Sequence, residues 1–177
     1  ITPRLIVTPE NIEQISIVLR IATKNNLSVV PWGGGTKINI GNYPAKLDIV
    51  LCMSEMDKII EMHPADMTIR VQAGTKMESI KRSLIKEGQL LPLTSPLESR
   101  ATIGGTVSAN VSGYHNLIYG TSRDLVIGTK FVQANGTVAK SGGNVVKNVT
   151  GYDLNKLFIG AIGPLGILAE ISLKVIP

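Results

Sequence analysis

The chain has 177 residues, 44% of them hydrophobic and only 4% aromatic, and 18 Lys and Arg against 13 Asp and Glu leave a net charge of +5. A chain of this length buries roughly 70% of its unfolded surface in one sizeable core, and abundant Ile, Val and Leu suit strands covered by helices, the layered α/β or α+β pattern. The cations stand singly, as at Lys24, Lys37, Lys46, Lys58 and Lys81, and the aromatics are scattered, which argues against a nucleic-acid face and for an anionic small ligand.

Leu5-Ile6-Val7 opens the chain as a strand, and Thr8-Pro9-Glu10 then starts an amphipathic helix to about Lys24, with Ile12, Ile15, Val18, Leu19 and Ala22 on one face. Leu27 to Val30 reads as a buried strand. Residues 47–51, 58–62 and 68–73 follow as three short strands, and Gly74-Thr75 starts a second helix reaching about Glu87, stopped by Gly88. A first lobe covers about 1–91. The second, 92–177, holds a small-residue helix or tight coil through Gly104-Gly105, strands at 125–134 and 137–140, and a last strand at 168–175. Asn135-Gly136 between two strands signals a type I′ hairpin. The lobes are expected to share one core with a ligand between them.

A single cysteine, Cys52, excludes an internal disulfide framework, fits a reducing compartment and reads as a small buried hydrophobe. His63 and His115 have no carboxylate cluster beside them, so no metal site is expected; His115 reads as a solvent-facing loop residue. The apolar runs are strand-sized and no charged-then-apolar leader opens the chain, so neither a membrane span nor a signal peptide is visible.

Pro31-Trp32-Gly33-Gly34-Gly35-Thr36-Lys37-Ile38 carries the strongest chemical signal. Three glycines let an anion meet main-chain N–H groups without any Cβ in the way, at the place where a strand opens into a loop. A plain Gly-rich turn fits the same residues. Neither the P-loop ending nor the dinucleotide pattern G-x-G-x-x-G is present. On this reading Gly34→Val abolishes ligand binding and leaves the fold largely intact.

Further on stand Ala101-Thr102-Ile103-Gly104-Gly105, Ala109-Asn110, Ser112-Gly113, Tyr119-Gly120, Arg123-Asp124, Lys147 to Leu154 and Gly163-Pro164-Leu165-Gly166. In this order, and over nearly the whole chain, they resemble the FAD-binding domain of the p-cresol methylhydroxylase and vanillyl-alcohol oxidase superfamily, most closely its glycolate oxidase subunit and D-lactate dehydrogenase branch. The resemblance implies a two-lobed α+β domain with mixed sheets covered by helices. It implies FAD as cofactor, its diphosphate wrapped by Pro31, Trp32, Gly33, Gly34, Gly35, Thr36, Lys37 and Ile38. Pro96, Thr102, Gly104 and Gly105 then lie along the ribityl and ring region, Ala109, Asn110, Ser112 and Gly113 form a second contacting segment, and Gly163, Gly166, Ile167 and Ile171 pass the adenosine half. Small residues such as Gly104 and Gly113 serve helix packing equally well.

Two departures from the family pattern matter. Pro164 stands where many relatives carry threonine, removing a hydroxyl and an N–H, and the glycine loop lacks the histidine that covalently flavinylated members place there, so a noncovalent FAD is expected. Arg123-Asp124 reads as a structural ion pair, and Tyr152-Asp153 as a pair shaping the cofactor pocket. The resemblance implies hydride removal from the α-carbon of a small 2-hydroxy acid to the flavin and other subunits of an oxidase complex, including one that accepts electrons; a cytoplasmic location is expected. Catalytic residues are not identified, because the substrate-covering domain of relatives lies outside the matched motifs and the chain reads as a piece of a longer subunit. The alternative is a non-catalytic FAD-holding or electron-relay module; a phosphate-binding domain without redox chemistry is a third reading.

Overall fold

Strand composition splits the molecule into a parallel and an antiparallel sheet. The computed structural model describes residues 2–111, 113–143 and 152–177. The first sheet holds β1 (Leu5–Val7), β2 (Val29–Trp32) and β3 (Ile49–Cys52), parallel and in the order β1-β3-β2. The crossover from β1 is α1 (Ile12–Lys24). The second sheet is antiparallel in the order β4-β5-β8-β6-β7, from β4 (Ile59–His63), β5 (Thr68–Gln72), β6 (Val126–Val132), β7 (Val138–Gly142) and β8 (Ile167–Lys174). Strands from before and after position 91 therefore lie side by side, with β8 between β5 and β6. Between β5 and β6 run α2 (Met77–Ile85), α3 (Ile103–Ser108), α4 (Asn116–Tyr119) and α5 (Ser122–Leu125); α6 (Asn155–Phe158) precedes β8. The mixed α+β fold expected from the sequence is the one observed.

Several boundaries move for local reasons. Thr8 does not cap α1: Asn11 does, its side chain accepting from the Gln14 N–H at 2.9 Å while the Gln14 side chain accepts from the Glu10 N–H at 2.8 Å, a reciprocal cap with carboxamides in place of the usual hydroxyl and carboxylate. Strand β2 extends to Trp32, so Pro31 is a strand residue paired with Leu51. Proline is tolerated because β2 is an edge strand and needs no N–H on its outer side. Helix α2 starts at Met77 rather than Gly74, because the Gly74 N–H donates to Met56 O and the Thr75 N–H to Gln72 O, committing both to a turn. The Asn135-Gly136 hairpin forms, but Asn135 keeps a negative φ and only Gly136 is left-handed, at φ 83°. With the Gln133 N–H donating to Thr137 O and the Gly136 N–H to Gln133 O, the loop is a type I turn with a glycine bulge rather than type I′.

One core joins both sheets. Ile15 of α1, Leu51 of β3, Ile69 and Val71 of β5, Ile80 and Leu84 of α2, Ile103 of α3 and Ile171 and Leu173 of β8 are fully enclosed in it, each such side chain contributing roughly 1.5–3 kcal/mol of hydrophobic free energy. Helix α1 is also pinned to the second sheet, where the Ser16 hydroxyl donates to Gly136 O and the Thr23 hydroxyl to Ala134 O. Across β4, β5, β8 and β6 runs a row of alternating charge, Glu61, Arg70, Glu170 and Lys130.

A buried carboxylate fastens the parallel sheet. Asp48 accepts from the Ser28 N–H at 2.8 Å and the Ser28 hydroxyl at 3.0 Å, and pairs with Lys46 at 2.9 Å and Arg4 at 3.6 Å. The Lys46 ammonium first, then the Ser28 N–H, lower its pKa to about 2 against burial. A depressed carboxylate contributes stability that is complete above the unfolded value of 3.8 and disappears as pH falls through the folded one. The urea midpoint is expected to drop between pH 4 and pH 2, and Asp48→Asn to flatten that drop.

Candidate functional site

The C-terminal ends of β2 and β3 open onto a groove of about 400 Å³. One wall is the loop from Pro31 to Ile38; the facing walls are the base of α3, with Thr102, Gly104, Gly105, Ser108 and Ala109, and the turn into β8, with Gly163, Gly166 and Ile167. These sixteen include most of the residues the sequence marked. Pro96, Asn110, Gly113 and Ile171 are not in the lining. Ile171 is fully buried between Val71 and Thr129, a sheet-core position; Pro96 and Asn110 are exposed. Tyr152 is 95% exposed and outside the groove, so it does not shape that wall. Ser112 lies outside the described residues, as do 147–151. The groove further takes in Met53, Ala73, Ile40, Asn42, Pro44, Ile162 and Pro164, none of which the sequence marked as a contact beyond the family departure at Pro164. They come from strand ends and irregular segments, which carry no periodicity.

The glycine loop has free donors. From Gly33 to Lys37 no N–H donates to any described group, and the Thr36 hydroxyl is equally unengaged. Main-chain N–H groups pointing into a concave wall form an anion site, and leaving them unpaired away from water is costly. The start of α3 is different: its N–H groups at Ile103, Gly104 and Gly105 already donate to Thr75 O, Ala73 O and the Thr102 hydroxyl. Anion-binding capacity thus sits in the loop. Among the described residues, Lys37 is the only ionisable side chain in the lining, its ammonium 3.5 Å from the Ser95 hydroxyl. The donor set and the neutral remainder suit a diphosphate flanked by flat or aliphatic groups.

The three glycines are also a packing device. A Cβ on Gly34 would strike the carbonyl of Arg100, one on Gly33 the Thr102 hydroxyl, and one on Gly35, at φ 68°, would sit 2.7 Å from the Trp32 ring. The loop is pressed onto the chain entering α3, which contradicts the expectation that Gly34→Val leaves the fold largely intact. Gly104 packs against Ala73 and Gly113 against Thr94, the packing roles that the sequence left open. Thr102 is the cap of α3, and Thr102→Ala is expected to cost about 1 kcal/mol in urea unfolding.

The remaining marked residues take structural places. His115 is half-buried with an enclosed, unpaired Nδ1 rather than solvent-facing. Arg123 and Asp124 do not pair: Asp124 accepts from the Thr121 N–H in a capping box, and Arg123 donates to Lys156 O. Cys52 is half-exposed rather than buried, its Sγ 3.6 Å from the Ser54 hydroxyl. No metal cluster and no helix long and apolar enough to cross a membrane exist among the described residues.

A family profile described as FAD binding domain matches residues 3–142, and the chain belongs to that family of FAD-binding domains; FAD is its cofactor. The chain is 35% identical over 175 residues to the glycolate oxidase subunit GlcD of Bacillus subtilis, covering 99% of this chain and 37% of that protein. It is 31% identical to a D-lactate dehydrogenase of Anaerostipes hadrus, with the same two coverages, and 32% identical to the mitochondrial D-2-hydroxyglutarate dehydrogenase of Rattus norvegicus, covering 98% of this chain and 32% of that one. Among solved structures, an alkyldihydroxyacetonephosphate synthase superposes with a TM-score of 0.82 at 25% identity, over 97% of this chain and 33% of that one. The chain spans about a third of the length of these relatives.

Proposed function

We propose that this chain is the FAD-holding part of an oxidoreductase for small 2-hydroxy acids of the glycolate or D-lactate kind, with the cofactor held noncovalently in the groove. The unpaired N–H run from Gly33 to Lys37 carries the reading. These N–H groups and the Thr36 hydroxyl hold the diphosphate oxygens, and Lys37 offsets one negative charge. The small residues Gly104, Gly105, Ser108 and Ala109 let an extended chain lie close to α3. FAD, when bound, supplies the acceptor for the electron pair and hydrogen leaving the hydroxy acid's α-carbon. No histidine lines the groove, which supports the noncovalent reading. The Bacillus subtilis relative is named as a subunit, which supports a multi-subunit complex; a cytoplasmic setting and a second subunit that accepts the electrons are part of the same proposal. Purified protein is expected to be yellow and to release all its flavin into the supernatant on acid precipitation. Flavin retained by the precipitate would contradict noncovalent binding.

One observation favours the reading of a holding module without turnover of its own: apart from Lys37, the described residues of the groove offer no acid or base. Placing substrate against the ring accounts for ~7–11 kcal/mol of barrier in well-oriented reactions, and the described lining offers no group placed for it. With an artificial electron acceptor, glycolate or D-lactate oxidation by this chain is expected to match free flavin. Substrate-specific turnover would place catalytic groups within these residues.

A further inference from the structure

We propose that residues 38–45 are a strap that closes on the bound cofactor and sets how fast it leaves; this rests on the groove being the FAD site. The other walls are fixed. Pro31 and Trp32 belong to β2, Gly104 to Ser108 to α3 and Ile167 to β8, while the turn at Ile162 is tied down by its N–H donating to Ser108 O. The strap has no such ties. Its one hydrogen bond among the described residues runs from the Ile40 N–H to Lys37 O, the residue just before it.

The two ends, by contrast, are moored. Lys37 reaches the Ser95 hydroxyl at 3.5 Å, and Lys46 donates to Asn26 O at 3.1 Å and pairs with Asp48 at 2.9 Å. Midway, Gly41 takes φ 89° with nothing within 4 Å of where a Cβ would be, a hinge with room to turn. A segment held at both ends, hinged in the middle and otherwise unbonded moves as a unit at low cost.

What it would close with is apolar. Ile38 and Ile40 line the groove yet are 50% and 44% exposed, and Pro44 lines it too. With a ligand beneath them these side chains leave water, and release must re-expose them. Tyr43, between them in sequence, is 89% exposed and outside the lining, so the strap has a groove side and a water side.

The test combines proteolysis with release kinetics on FAD-loaded protein. Trypsin cuts after Lys37 and Lys46, the two moorings, and saturating FAD is expected to slow both cuts at least tenfold. The double variant Ile38→Ser with Ile40→Ser is expected to release FAD at least tenfold faster, with its urea midpoint without FAD unchanged; Tyr43→Ala is expected to release it at the wild-type rate. Wild-type cleavage unaffected by bound FAD, or unchanged release from the double variant, would overturn the strap. A wild type that shows no FAD binding at all would overturn the groove reading and the strap together, an outcome separated from the others by the wild-type titration.

Discussion

Gly34→Val is expected to yield no cooperatively folded protein. The new Cβ falls on the Arg100 carbonyl, and its neighbours there are the Arg100 carbonyl carbon and Ala101 Cα, all main chain, so no side chain can swing aside. The loop or the segment entering α3 has to move. The second option pulls on Ala101, whose carbonyl accepts from the Met77 N–H at 2.9 Å, and on Thr102, the cap of α3. Losing these together costs on the order of 4 kcal/mol or more, within the range that unfolds a marginally stable domain. Gly41→Ala is the control: its surroundings are empty, and only the positive φ penalises alanine, by about 1 kcal/mol. Urea unfolding of the two variants should differ sharply. Equal midpoints would mean that the glycine loop does not press on α3.

Lys37→Met is expected to do the opposite, keeping the fold and weakening the cofactor. It lines the groove, where among the described residues it is the only ionisable group and its single partner is the Ser95 hydroxyl. Methionine keeps the aliphatic stem and removes the charge. A hydrogen bond to a charged group contributes about 1.5–3 kcal/mol, so FAD affinity is expected to fall by roughly 10- to 100-fold. The loss should shrink as salt rises, because the wild type alone has a charge to screen. An unchanged dissociation constant would remove Lys37 from the site.

The glycine loop was legible because three glycines in a row are a local signal, and strands and helices followed from apolar spacing that is equally local. The reason for the glycines was not, since Arg100 meets Gly34 only through the fold. Thr8 and Asn11 are both plausible caps within one turn of each other; Gln14, able to complete the reciprocal cap, decided it. Ile171 resembled a ligand neighbour by its place in the motif order, yet it lies on the core side of a strand paired on both edges. The strap residues Ile40, Asn42 and Pro44 sit in irregular chain, where sequence period says nothing about direction.

In the proposed function, the free N–H groups of residues 33–37 hold the cofactor's diphosphate. Hydrogen exchange of the chain with and without FAD tests it directly. Peptides covering residues 31–38 should exchange quickly without FAD and show the largest slowing in the molecule when it is bound. FAD binding that leaves the exchange of this segment unchanged would contradict the account.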